Sequence, residues 1–82
     1  MIKEIVLEYF SELSPFMEVN MGTHLINDLG LDSLDIASAM SDFARMTDTK
    51  LSTHELISEY GSDPTVANVV SYISKHYVPS MP

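Results

Sequence analysis

Apolar side chains return every three or four residues in four separate stretches of this chain, and that spacing constrains the fold more than any other feature. Ile2, Ile5, Val6, Tyr9, Phe10 and Leu13 recur in the first stretch, with Lys3, Glu4, Glu8 and Glu12 on the other side. The spacing predicts a helix over 2–13 whose aromatics belong to the core. It stops at Ser14-Pro15, because proline disfavours helix in the residue before it. In the second stretch Ile36, Met40, Phe43 and Met46 or Thr47 make one stripe with Ala39 beside it, which predicts a helix over 33–47. Its opposite edge carries Leu34, Ala37, Ser41 and Ala44. Ser52-x-x-Glu55 is a capping-box pattern that starts a short third helix over 53–60, burying Leu56, Ile57 and Tyr60. Gly61-Ser62-Asp63-Pro64 is a stop and restart, with Asp63 or Thr65 capping and Pro64 in the first turn. Val66, Val69, Val70, Ile73 and Tyr77 then mark a fourth helix over 65–77. The fold class is therefore all-α, with three long helices, a short third one and a long first loop.

Residues 14–32 make a connection long enough to need tying down by its own side chains, and Phe16, Met17, Val19, Met21, Leu25, Leu29 and Leu31 are the candidates. Thr23 and His24 read as a local turn. The 82 residues suit one small domain over 1–77, with 78–82 as a disordered tail. With 45% apolar residues the core is adequate, for a stability of about 4–12 kcal/mol. Lacking cysteine, the chain has no disulfide, thiolate metal site or cysteine nucleophile, which fits a reducing compartment. His24, His54 and His76 lie too far apart for ligand spacing. A calcium loop starting at Asp28 would want an acid or Asn, then glycine, then Glu, where Gly30, Ser33 and Ala39 stand. No metal is expected. The net charge of −8 argues against nucleic-acid binding. It keeps a small protein soluble and also suits partners with basic docking surfaces. Met1 to Glu8 lacks the apolar run of a signal peptide. No stretch approaches the ~18–20 apolar residues of a membrane span. A cytoplasmic monomer is the expectation.

One stretch, Leu25 to Asp35, points to chemistry. Ser33 lies where a loop hands over to a helix, and Ser and Asp are favoured there because they accept hydrogen bonds from free amides. Gly30 suits a turn with an unusual backbone angle, while Leu29, Leu31 and Leu34 pin the loop to a core. Read by itself, the stretch is a helix N-cap at Ser33 behind a stapled loop. The other reading makes Ser33 an exposed hydroxyl open to modification, at a helix start that favours an anion by ~0.3–1 kcal/mol.

Asp28-Leu29-Gly30-x-Asp32-Ser33-Leu34-Asp35, with the helical pattern behind it, resembles the attachment signature of acyl carrier proteins. The order of helices is similar to the four-helix acyl-carrier bundle along essentially the whole chain. The resemblance implies that Ser33 carries 4′-phosphopantetheine as a phosphodiester, moved from coenzyme A by a phosphopantetheinyl transferase that supplies metal and base. Asp32, Leu34 and Asp35 would then be flanking recognition residues. The arm's thiol would hold acyl groups as thioesters for acyl-loading and acyl-processing enzymes, so the chain itself is no enzyme. The apolar faces of its helices, first of all core, could part around an acyl chain as in some family members. The implied function is that of a free-standing acyl carrier protein in fatty-acid or specialised, polyketide-like biosynthesis. Gly30-Leu31-Asp32-Ser33-Leu34 looks acyl-type, since peptidyl carriers usually have glycine where Leu31 stands. Asp63-Pro64-Thr65-Val66 leans toward polyketide and peptide carriers, which keeps a peptidyl carrier of a nonribosomal pathway as an alternative. An unmodified acidic interaction module is a third. In the family, the helix after the serine docks partners through glutamates and apolar knobs. Here Ser38, Ser41, Ala44 and Arg45 stand at that face, and Asp35 and Asp42 are the only acids between Leu34 and Thr47. Dedicated partners are therefore expected, with Glu55 and Glu59 as further candidate docking acids.

Overall fold

A computed structural model describes residues 1–78 of the chain. It consists of four helices: α1 (Ile2–Leu13), α2 (Ser33–Thr47), α3 (Thr53–Tyr60) and α4 (Val66–His76). No strand is formed among the described residues. The spacing of apolar residues located all four helices to within one residue at each end. Of the tail expected over 78–82, residues 79–82 lie outside the described residues.

The core joins Val6 and Phe10 of α1 to Ile36, Ala39, Met40 and Phe43 of α2, Leu56 of α3, and Val66, Val69, Tyr72 and Ile73 of α4. Phe10 meets Phe43 edge-on at 5.7 Å between ring centres and Tyr9 at 5.6 Å. Such pairs are worth about 0.5–1.5 kcal/mol beyond the area they bury. Thr47, not Met46, completes the α2 stripe. Its hydroxyl donates back to the Phe43 carbonyl at 2.7 Å, while Met46 stays half-exposed.

Several expected anchors face solvent instead. Leu13, Phe16 and Met17 are exposed, Phe16 almost completely. The helix ends at Ser14, and a turn closed by the Met17 N–H on the Ser14 carbonyl carries the chain away from the core. Ile57 and Tyr60 are only half-buried, because a helix as short as α3 lays little more than Leu56 against the core.

The long first loop is held by the start of α4. The first N–H groups of a helix have no partner within it. Here the Val66 N–H donates to the Thr23 carbonyl and the Ala67 N–H to the Met21 carbonyl, each at 2.9 Å. Thr65 supplies the cap, and its side chain and that of Asn68 bond each other's backbone N–H. Asp63 is therefore not the cap, and Pro64 precedes it as a buried residue rather than lying in the first turn. Asp63 reaches across instead, accepting from the Ile26 N–H at 2.8 Å and the Asn27 N–H at 3.2 Å. Leu25 donates to the Pro64 carbonyl at 3.0 Å, and His24 pairs with Thr65 in an isolated antiparallel bridge. The turn expected at Thr23 and His24 accordingly sits two residues earlier, at Met21 and Gly22, closed by the Thr23 N–H on the Asn20 carbonyl.

On α3, the Ser52 side chain accepts from the Glu55 N–H, as the capping pattern predicts. Glu55 does not reciprocate. Its carboxylate accepts from the Tyr72 hydroxyl at 2.5 Å, and that hydroxyl accepts from the Ser52 N–H at 3.0 Å. The box is thus closed through α4, and burial together with Glu55 pushes the Tyr72 hydroxyl above its ordinary pKa.

Candidate functional site

The loop entering α2 is built as one continuous turn. Asp28 and Leu29 both donate to the His24 carbonyl, Gly30 donates to Ile26, and Leu31 donates to Leu25. The Asp28 carboxylate closes the start of the turn by accepting from the His24 N–H at 2.7 Å. Gly30 then leaves it with φ +70°, a left-handed angle that glycine adopts without steric cost. Leu25 is fully buried and Leu31 nearly so, while Leu29 is half-buried against the core.

Leu34 does not pin the loop as the sequence suggested, being 76% exposed. It stands two residues before Ile36, about 200° around a helix of 3.6 residues per turn, so burying Ile36 turns Leu34 outward. The result is an exposed leucine beside an exposed serine.

Ser33 is the first helical residue, not the cap. Asp32 holds the cap position in extended backbone and accepts from the Asp35 N–H at 2.9 Å. Asp35 returns the bond, accepting from the Asp32 N–H at 3.1 Å. Asp and Ser are comparable as caps in themselves, so the residue three positions on decides. From Asp32 that residue is Asp35, which can reciprocate; from Ser33 it is the apolar Ile36. The sequence held this signal, and reading Ser33 as the cap overlooked it.

Two consequences follow for the chemistry available. The Ser33 hydroxyl takes part in neither capping bond and sits at an exposed position. Asp32 and Asp35, read from sequence as handles for a partner, each commit one carboxylate oxygen to the cap. The Ile36 N–H donates to the Asp32 carbonyl, which leaves the Ser33 and Leu34 N–H groups unused by the cap. They are available to an anion at the helix start, though both aspartates oppose a further negative charge there.

The far half of α2 is less positive than its sequence suggested. Arg45 is paired with Asp42 at 2.7 Å, and Asp42 also accepts from the Tyr9 hydroxyl at 2.5 Å. The Tyr9 bond, then Arg45, holds the Asp42 carboxyl below the usual carboxylate range. Burial and the same carboxylate push Tyr9 up to about 12. The candidate docking acids of α3 are also engaged, Glu55 with Tyr72 and Glu59 with Lys75.

The sequence reading had Asp63 only as a possible cap, and its tie from α4 to the loop escaped it. Its partners lie 36 and 37 residues away, beyond any local pattern. Tyr72 was also missed, although it continues the spacing of Val66 and Val69. Among the described residues, no group of three or more His, Asp or Glu is placed to hold a metal ion. No described helix is long and apolar enough to cross a membrane. No protein-family model matches the chain, and a search of curated proteins finds no match.

Proposed function

We propose that this chain is an acyl carrier domain whose Ser33 hydroxyl accepts a 4′-phosphopantetheine arm. The observation that carries the reading is an exposed serine hydroxyl, free of the capping bonds, at the head of α2 inside the ordered string Asp28 to Asp35. The helix order of long, long, short, long, with an extended loop between the first two, supports a carrier-type topology.

An arm attached here fits the residues present. In the transfer, the Ser33 oxygen forms a bond to the phosphorus of coenzyme A that carries pantetheine. Its proton passes to a base of the transferase, and the nucleotide half leaves. Nothing in that step needs a base beside Ser33 in this chain. When attached, the arm supplies a thiol that holds acyl groups as thioesters. The chain's own residues do the positioning. Asp28 and Gly30 shape the turn, Leu25 and Leu31 anchor it, and the Asp32–Asp35 box fixes the first turn of α2. Exposed Leu34 offers apolar contact beside the attachment point. Partners are then the transferase and acyl-processing enzymes with basic docking surfaces. Leu31, a buried anchor here, stands where peptidyl carriers usually have glycine, which favours an acyl cargo.

The test is intact-mass spectrometry after incubation with a promiscuous phosphopantetheinyl transferase and coenzyme A. The wild type gains one phosphopantetheine and Ser33→Ala gains none. A wild type that stays unloaded would leave an unmodified interaction module as the better reading, and loading of the alanine variant would put the site elsewhere.

A further inference from the structure

A groove of about 330 Å³ runs between α1 and the end of α2. Ile5, Tyr9 and the half-exposed Met46 give it an apolar floor, and Glu4, Glu8 and Glu12 stand along its rim one helical turn apart. Ser33 to Met46 spans nearly the whole of α2, roughly 20 Å along the axis at ~1.5 Å per residue. The groove is therefore not part of the Ser33 site.

The charge on this rim is unbalanced. Glu4 lies 3.7 Å from the Met1 amine, but Glu8 and Glu12 pair with no base among the described residues. The nearby Arg45 is already neutralised by Asp42. Like charges four residues apart on a helix repel, and cationic groups of a partner would relieve that repulsion. The groove's volume is at the small end for ligand pockets, about 300–1,000 Å³, and it is only partly enclosed. That shape suits one or two apolar side chains presented by a helix better than an enclosed small molecule.

We propose that this groove is a second docking face, and that its occupant is a basic amphipathic helix of a partner protein. Apolar anchors of the partner at i and i+3 or i+4 sit on Ile5, Tyr9 and Met46, while flanking Lys or Arg side chains meet Glu4, Glu8 and Glu12. Distance along α2 lets such a partner bind while another enzyme works at Ser33. The inference does not depend on Ser33 being modified.

The probe is a fluorescein-labelled peptide of leucine and lysine, about 15 residues long so that it can form several helical turns, with its leucines on one face. A scrambled peptide of the same composition is the control. In anisotropy titrations at physiological ionic strength, where the screening length is ~8 Å, Glu8→Lys and Met46→Glu each weaken binding about tenfold, equivalent to ~1.4 kcal/mol. Glu18→Lys makes the same charge change on an exposed residue outside the groove and has less than about a twofold effect. Circular dichroism verifies that each variant keeps its helices. Ser33→Ala binds as the wild type does, which separates this result from failure of the carrier reading. The proposal is overturned by absence of saturable binding, by equal binding of the scrambled peptide, or by equal losses for Glu18→Lys and Glu8→Lys.

Discussion

Replacing Asp32 and Ser33 one at a time by alanine separates the residue that caps α2 from the residue proposed to carry the arm. Asp32→Ala removes the acceptor for the Asp35 N–H, while the backbone N–H at position 32 still donates to the Asp35 carboxylate. Loss of an N-cap side chain costs about 0.5–2 kcal/mol and typically ~1 kcal/mol, the value expected here. Asp32→Asn keeps an acceptor oxygen and should cost only a few tenths. Ser33→Ala deletes an exposed hydroxyl that the cap does not use, so its effect should lie within about ±0.5 kcal/mol. For a domain of this size one kcal/mol moves the melting temperature by about 4–8 °C.

Urea and thermal denaturation read the first half of this prediction, and intact mass after transferase treatment reads the second. The expected pattern is crossed: Asp32→Ala is the less stable protein yet still loads, whereas Ser33→Ala is stable and does not. A Ser33→Ala variant that loses more stability than Asp32→Ala would return the cap to Ser33. Should Asp32→Ala also fail to load while remaining folded, its carboxylate would be a contact for the transferase beyond its role in the cap.

Phe43→Ala and Ile73→Ala should each cost about 2–5 kcal/mol by leaving cavities, while Phe16→Gln, at a position 99% exposed, should leave the urea midpoint nearly unchanged. Comparable midpoints for all three would mean that the buried faces are misassigned. Tyr9 ionises in the unfolded chain near its ordinary 10.0 but in the folded chain only at about 12. Its contribution is therefore complete below pH 10 and is lost as pH rises toward 12. Tyr9→Phe should flatten that part of a pH-stability curve, leaving the smaller loss expected of Tyr72, whose pKa is also raised. An unchanged alkaline slope would refute the raised Tyr9 pKa, which burial causes first and the Asp42 bond second. On the carrier reading, Ser38→Glu with Arg45→Glu should raise turnover by a general fatty-acid ketosynthase. A wild type already fully competent with that enzyme, or no gain in the variant, would remove the case for dedicated partners.

The helices were legible because their apolar spacing is regular and their ends are marked by Pro15, Ser52, Gly61 and Thr65. Burial was legible where two neighbours on one stripe agreed, as with Ile36 and Met40. It failed for Leu34, which was read along the chain with Leu29 and Leu31 although a helix had already begun and rotated it outward. It failed again for Phe16 and Met17, where an irregular turn has no periodicity to read. The Ser33 position was legible to one residue, and the error lay in assigning the cap without asking which residue could reciprocate. The Asp63 bonds to Ile26 and Asn27 depend on tertiary placement, and no local rule reaches them.

Charge in this molecule is distributed so that its two candidate faces respond separately. At the head of α2, Asp32 and Asp35 carry charge within one turn of Ser33. Further along, Asp42 spends its charge on Arg45 and its hydrogen-bonding capacity on Tyr9 as well. A basic partner docking at Ser33 therefore feels mainly the first-turn acids. The α1 glutamates line a groove toward the other end of α2, where Tyr9 reaches Asp42 and Met46 stands, roughly 14–20 Å along the helix from Ser33, beyond the ~8 Å screening length at physiological salt. Changing Glu8 should thus leave association at Ser33 nearly untouched at that salt, and changing Asp35 should leave the groove unaffected. At low ionic strength, where the screening length reaches about 30 Å, each face should begin to sense the other. An effect of Glu8→Lys on loading of Ser33 that vanishes with added salt would be long-range charge, whereas one that persists would require a structural path through α1 and the Tyr9–Asp42 bond.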